Sequence, residues 1–334
     1  MSESLAKFLL EKREENKDEM EKGLKQKYIG DVGELFALNY LENLFKRNNI
    51  RNYKILPHND YHDEYDLDIY INGRNYKIEI KTSTNEAQPH FHNIHFNNDF
   101  DFLLLIWKSP NDKIYLAILS KKEAREIATP INTNREDEDN WVIHRIDIFD
   151  EDNKEFLNRL SMFLELKKEL EDLEDNEKIE LLNASEEEIM KNPDAVKNDF
   201  SGEVYQQWIY QYLSNYVDEV ELMPREYKYD IKYKGKGIEI KYSLLSDRGA
   251  FNFKKIKPNL FHFIFLIGFD DEENKFYFSI KTSDEIVEIK KELAGSDEFS
   301  SQNGFELNVG KHNSKLNFVN DFYFEDFDKY IETH

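Results

Sequence analysis

The sequence predicts two α/β domains, each a short mixed β-sheet flanked by helices, joined by an acidic helical linker. Length is the first reason: 334 residues suffice for two ordinary domains, each with its own core. Internal repetition is the second, because the two halves carry the same order of helix, hairpin, strand and helix. Composition is the third: at 40% hydrophobic and 14% aromatic residues the chain is too apolar for disorder, despite 34% charged residues. The expected boundaries are 1–150 for the first domain with its N-terminal helix, 151–199 for the linker and 200–334 for the second domain.

Each half begins on a Gly-Glu pair that reads as a helix opening, Gly33-Glu34 and Gly202-Glu203. Val32, Phe36, Tyr40 and Leu44 fall four apart, as do Val204, Trp208, Tyr212 and Tyr216, so both segments predict amphipathic helices. A β-hairpin follows in each. The first, residues 65–83, turns at Asn72-Gly73, a strong type I′ signal between alternating strands. The second, residues 229–243, turns at or near Lys234-Gly235. Beyond the hairpins the halves align without a gap at an offset of 160, so that Lys81 matches Lys241, Phe91 matches Phe251, and the apolar run 103–107 matches 263–267. A further strand and a charged helical segment close each half. Between them, Phe156, Leu160, Phe163, Leu166, Leu170 and Leu173 form a narrow apolar seam that predicts a helix over residues 153–180. Such a helix packs on a domain or pairs with another chain, and packing is the simpler expectation. Asn192-Pro193-Asp194 is expected to break it.

The absence of cysteine excludes disulfide frameworks, thiolate zinc sites and thiol nucleophiles. The N-terminus lacks the apolar core of a signal peptide, and no segment reaches the ~18 apolar residues of a membrane span. A cytoplasmic protein with no membrane partner is therefore expected. The formal charge of −23 disfavours nucleic-acid binding, but it is unevenly spread. Residues 225–258 hold ten basic against four acidic side chains, whereas residues 150–190 hold five against fifteen.

The hairpins carry the chemistry. With Asn72-Gly73 as the loop, Asp66 stands opposite Glu79, their Cβ atoms about 4.5–5.5 Å apart. Alternation puts Lys81 on the same face. In the second hairpin Asp230 opposes Glu239, with Lys241 two residues on. Asp68 shares the face of Asp66 and is expected opposite Lys77, but Asp66 is preferred because it opposes Glu79 and matches Asp230. Two like charges held opposite one another cost free energy unless compensated, and the same costly pair occurs twice. A divalent cation compensates it: Mg²⁺, with Mn²⁺ able to substitute, takes carboxylate and phosphate oxygens and activates water. A nearby lysine can orient that water and stabilise developing negative charge. Glu34 and Glu203 could each add a carboxylate through a metal-bound water.

An Asp followed by Glu-Ile-Lys on a hairpin, preceded by a Glu-bearing helix, resembles the PD-(D/E)xK nuclease superfamily, the core of restriction-endonuclease-like enzymes. The resemblance covers roughly residues 33–119 and 202–280, about half the chain. Tyr65 and Tyr229 stand where the family name places proline. The resemblance implies Asp66 and Glu79 as metal ligands, joined by the Ile80 carbonyl, and Lys81 as water-positioning base. It implies Asp230, Glu239, Ile240 and Lys241 in the same roles. Arg248, Lys254, Lys255 and Lys257 are then candidate phosphate contacts, with Ser83 and Ser243 beside them. His90, His92 and His95 could bind a transition metal, touch substrate or do neither.

The expected function is a Mg²⁺-dependent DNA endonuclease of the restriction or phage-defence kind, acting on duplex DNA. Two copies would form a monomeric pseudo-dimer, or one would cut while the other binds; a homodimer is also compatible. A structure-selective or degradative nuclease for repair, recombination or RNA is the alternative enzyme. An acidic adaptor or DNA mimic on an inactive nuclease fold is the non-enzyme alternative.

Overall fold

In the computed structural model, which describes residues 2–58, 65–84, 88–131, 139–224, 227–294 and 304–334, the chain opens with helices α1 (Leu5–Glu15) and α2 (Lys17–Arg47). Strands β1 (Tyr53–Pro57), β2 (Leu67–Ile71), β3 (Arg74–Ser83), β4 (Phe91–Ile94), β5 (Phe102–Lys108) and β6 (Ile114–Ser120) follow. Next come α3 (Lys121–Ile127), β7 (Thr129–Pro130), β8 (Trp141–Ile143), α4 (Lys154–Phe163), α5 (Asp175–Met190) and α6 (Pro193–Ser214). Strands β9 (Val220–Leu222), β10 (Ile231–Tyr233), β11 (Lys236–Leu244), β12 (Ala250–Ile256), β13 (Phe263–Asp270) and β14 (Lys275–Thr282) lead to α7 (Ser283–Ala294), β15 (Phe305–Gly310) and α8 (Phe324–Thr333). This is a mixed α/β chain. It divides into two compact units, Lys25–Asn192 and a discontinuous one made of Met1–Leu24 with Pro193–His334.

In the unit Lys25–Asn192 the main sheet has the order β1-β2-β3-β5-β6. All neighbours are antiparallel except β3 and β5, which run parallel. Asn72 and Gly73, with φ of 53° and 78°, make the left-handed pair that a type I′ turn requires. The turn fixes the register Leu67↔Ile78 and Asp68↔Lys77. Ile69, Ile78, Ile80, Leu104 and Ile106 face α2, whose Phe36, Tyr40, Leu44 and Phe45 are fully buried against them. The other face carries Leu103, Leu105 and Trp107 and is covered by β4, β8 and α3.

The second unit repeats this plan with the order β9-β10-β11-β13-β14 and the same senses, β11 and β13 being the parallel pair. Its turn residues Lys234 and Gly235 have φ of 47° and 76°. Ile238, Ile240, Phe263, Phe265 and Ile267 face α6 and α8, while Ile264 and Leu266 lie under β12, β15 and α7.

Four sequence-based expectations change. Gly33-Glu34 and Gly202-Glu203 do not open helices; both lie inside one. At Gly33 the reason is packing, since a Cβ there would lie 1.7 Å from Thr82 Oγ1. The helix over 153–180 is two helices, α4 and α5, separated by an irregular stretch. Its seam residues Phe156, Leu160, Leu170 and Leu173 are buried in the core of the first unit, which uses up that apolar stripe internally. Residues 1–24, expected with the first hairpin, pack with the second, where Leu5 and Leu9 are buried beside Trp208 and Tyr212. Finally, the gapless offset of 160 slips by one. Glu79 pairs with Leu103 and Glu239 with Ile264, and only that register keeps each strand's faces turned to the right core, because a one-residue shift inverts them.

Candidate active site

Each aspartate sits just before the first paired residue of its hairpin, where the two strands begin to diverge. Asp66 donates its N–H to Ile78 O (2.9 Å) and accepts from the His58 N–H at its carbonyl (2.8 Å). Its carboxylate Oδ2 accepts the Ile80 N–H at 2.6 Å. Asp230 repeats this set: N–H to Ile238 O (3.1 Å), carbonyl to the Met223 N–H (2.9 Å), Oδ2 to the Ile240 N–H (2.6 Å). The backbone amide between the glutamate and the lysine therefore fixes the carboxylate in both units.

The glutamates are 5% and 2% exposed. Lys81 Nζ lies 2.5 Å from Glu79 Oε1, and Lys241 Nζ 2.6 Å from Glu239 Oε1. Burial first, and then the Glu79 and Glu34 charges, raise the Asp66 carboxyl well above the usual carboxylate range. Burial and Glu239 push Asp230 up to about 8. Burial alone would lower the pKa of Lys81, but Glu79 and Asp66 more than reverse that, so it stays charged. Each site thus joins a buried glutamate and a half-buried aspartate to one ammonium, short of positive charge. Ile80 and Ile240 send their side chains into the helix-facing cores, leaving only backbone atoms at the site.

The two helices contribute differently. Glu34 is half-buried on α2. Its carboxyl is pushed up to about 7 by burial, opposed by Lys27 and Lys81 and reinforced by Asp31 and Glu79. Glu203 is exposed on α6. The Gly-Glu match misled here. Gly33 faces Thr82, whereas the ring stacked on Tyr242, the matching strand position, is Tyr205 at 4.4 Å. In that frame the residue corresponding to Glu34 is Gln206. The apolar stripes had the same spacing, Val32 to Val204, and carried the correct register.

Strand β1 was not anticipated, and it brings in residues that sequence reasoning missed. Continuing the pairing Leu56↔Asp68 sets His58 opposite Asp66. His58 Nδ1 lies 3.2 Å from Asp68 Oδ2, and the imidazole packs on Tyr65 at 3.9 Å. Asp68 also accepts from Tyr65 Oη (3.2 Å) and Asn75 Nδ2 (2.7 Å), so it holds His58 rather than competing with Asp66.

Ser83 and Ser243, expected beside the phosphate contacts, are buried at 4% and 0% exposure. Their hydroxyls accept the N–H of His90 (3.0 Å) and Asn252 (2.8 Å), tying down the strand that follows. Arg248 lies exposed in the turn before β12. Lys254 and Lys255 are exposed at a β-bulge, where Lys255 has φ of 54° and Phe253 and Ile256 stay buried on either side. Lys257 is half-buried. His90 and His92 gather with His144, ring centroids 4.2–6.1 Å apart, while His95 Nδ1 meets the Asp139 carbonyl at 2.5 Å. Residues 85–87 of that segment, and Arg225 of the basic stretch, lie outside the described residues. Among the described residues no three His, Asp or Glu side chains stand in metal-ligating geometry.

No protein-family model matches the chain, and no curated protein matches it. Among solved structures, a bacterial homing endonuclease aligns over 41% of this chain and 91% of its own, at 14% identity and a TM-score of 0.27, a likeness too slight to place the fold.

Proposed function

We propose that this chain is a divalent-cation-dependent nuclease that hydrolyses DNA phosphodiester bonds, with PD-(D/E)xK-like sites at Asp66/Glu79/Lys81 and Asp230/Glu239/Lys241. One observation supports this above the rest. In each unit a half-buried aspartate, pinned by the same backbone amide, stands within the electrostatic reach of a buried glutamate. Such a pair is costly when ionised, and the donor set fits a hard cation: oxygen atoms, negative charge and limited access. Asp66 with Glu79, and Asp230 with Glu239, would hold Mg²⁺, which supplies charge neutralisation at a phosphate and a more acidic bound water.

The chain's own groups do the rest. The Ile80 and Ile240 amides keep each aspartate aimed at its partner. Lys81 and Lys241, paired with the glutamates, are placed to orient an attacking water and offset negative charge developing on phosphate. Arg248, Lys254, Lys255 and Lys257 supply the phosphate grip that the chain's overall acidity lacks. A role in restriction or phage defence follows from the resemblance, and duplex DNA is the substrate to try first.

Supercoiled plasmid with Mg²⁺ or EDTA tests this, comparing wild type, Lys81→Ala, Lys241→Ala and the double variant. Cutting that needs Mg²⁺ and is lost in the double variant is the expected result. Undiminished cutting in the double variant would refute the lysine roles. Junctions, single strands and RNA run in parallel separate a restriction-type from a structure-selective enzyme. The charge of −23 favours a second reading, an acidic adaptor on an inactive scaffold; it predicts no cutting of any substrate and inhibition of a DNA-binding protein.

A further inference from the structure

We infer that the first unit grips DNA phosphates at His92 and Asn93, through the same bulge that presents Lys254 and Lys255 in the second. The inference rests on the nuclease reading and adds a substrate contact to its first site.

The two bulges match residue for residue. In β4 the pairing with β8 runs Phe91↔Ile143 and then Ile94↔Trp141, so two residues, His92 and Asn93, stand against one. In β12 the pairing with β15 runs Phe253↔Leu307 and then Ile256↔Phe305, with Lys254 and Lys255 as the two. The second residue of each pair is left-handed, Asn93 with φ of 56° and Lys255 with φ of 54°. The flanking Phe91, Ile94, Phe253 and Ile256 are fully buried. Each strand is also anchored alike. The serine two residues beyond the site lysine accepts the N–H of the residue just before that phenylalanine, His90 in one unit and Asn252 in the other. Phe91 therefore corresponds to Phe253, not to Phe251 as the gapless alignment has it.

Packing does not account for this device. A bulge gives up ladder hydrogen bonds, and left-handed backbone is unfavourable at a lysine. What it produces is two neighbouring side chains turned outward together, where plain alternation would send one of them inward. All four of these side chains are exposed. Glu306 stands opposite the second bulge, yet among the described residues neither lysine forms an ion pair with it. The chemistry is thus directed at solvent, at a reach from the acids that the serine anchor fixes. Lys254 and Lys255 offer ammonium groups, while His92 and Asn93 offer imidazole and amide N–H donors; both kinds suit phosphate oxygens. His144, in ring contact with His90 at 4.2 Å and His92 at 5.8 Å, extends the donor surface of the first bulge.

Binding of the full chain to a short fluorescein-labelled duplex, read by anisotropy in Ca²⁺ over a series of KCl concentrations, tests the assignment. His92→Glu with Asn93→Asp should weaken binding about tenfold, the effect of two like charges near the phosphate backbone. Its melting temperature should hold, since aspartate tolerates left-handed backbone. Asn274→Asp makes the same change at a left-handed residue between β13 and β14 and should stay within about twofold of wild type. His92→Lys with Asn93→Lys copies the second bulge; it should tighten binding and steepen the salt slope by about two, one for each phosphate newly neutralised. Should the acidic pair not melt cooperatively, the lysine pair decides. Unchanged affinity in the acidic pair, or an unchanged slope in the lysine pair, would overturn the inference, and Mg²⁺-dependent plasmid cutting by the wild type would leave the nuclease reading standing. A wild type that neither binds duplex nor cuts it removes both.

Discussion

At Gly33 a single hydrogen decides how close a helix comes to a strand. Gly33→Ala should destabilise the protein by about 1–3 kcal/mol, because the Thr82 side chain and the backbone around it must shift. Adding Thr82→Ala removes the Oγ1 clash but keeps the Cβ at 2.7 Å, so it should recover part of that loss, and a double-mutant cycle in urea shows the coupling. Gly202→Ala, with nothing within 4 Å of the new methyl, should be neutral or stabilising by up to about 1 kcal/mol. Equal losses at the two glycines would contradict the packing argument. The half-buried acids make a second prediction. Asp230, pushed up to about 8 by burial and Glu239, and Glu34, pushed up to about 7 chiefly by burial, keep protons when folded that an unfolded chain gives up near pH 4. Their contribution is complete below about pH 4 and is lost as pH rises through about 7–8. In EDTA, the urea midpoint of Asp230→Asn should therefore gain on wild type between about pH 5 and pH 8. A gap that stays constant with pH would show that Asp230 is not driven toward its neutral form.

At the scale of elements, the hairpins were legible and the helices less so. Alternating strands around Asn72-Gly73 and Lys234-Gly235 fix register through local turn geometry, so the pairings Asp68↔Lys77 and Lys232↔Gly237 follow from the sequence. They stop one residue short of each aspartate, where the strands diverge and the carboxylate reaches the Ile80 or Ile240 amide instead. Local signals fail where a tertiary contact decides. A mid-helix glycine looks like a helix start until Thr82 is seen beneath it. The short strands β1 and β9 gave no period, so His58 was not found. The seam from Phe156 to Leu173 is apolar at helical spacing, yet the chain leaves the helix after Phe163; Glu165 has φ of 55° and Leu166 donates to Ser161 O. The bulge at Lys254-Lys255 was not predicted either, although its lysines were. Reversing both charges, Lys254→Glu with Lys255→Glu, should leave the melting temperature unchanged and weaken DNA binding. The salt slope should fall by about two, one for each phosphate that the two lysines no longer neutralise. An unchanged slope in fluorescence anisotropy would remove them from the interface.

For the whole molecule, composition bounded the answer and topology carried it. Length and repetition pointed to two α/β units, and both sheets have the same strand order and senses. What the sequence did not disclose is that Met1–Leu24 packs with Pro193–His334. Leu5, Leu9 and Arg13 match surfaces on α6 and β13 that are distant along the chain, and no local pattern reveals such a pairing. Anomalous scattering from crystals grown with Mn²⁺ reports directly whether a cation sits at the first carboxylate pair. A peak is expected between the carboxylates of Asp66 and Glu79, with Lys81 withdrawn from Glu79. A map without that peak, and with Lys81 still 2.5 Å from Glu79 Oε1, would contradict it.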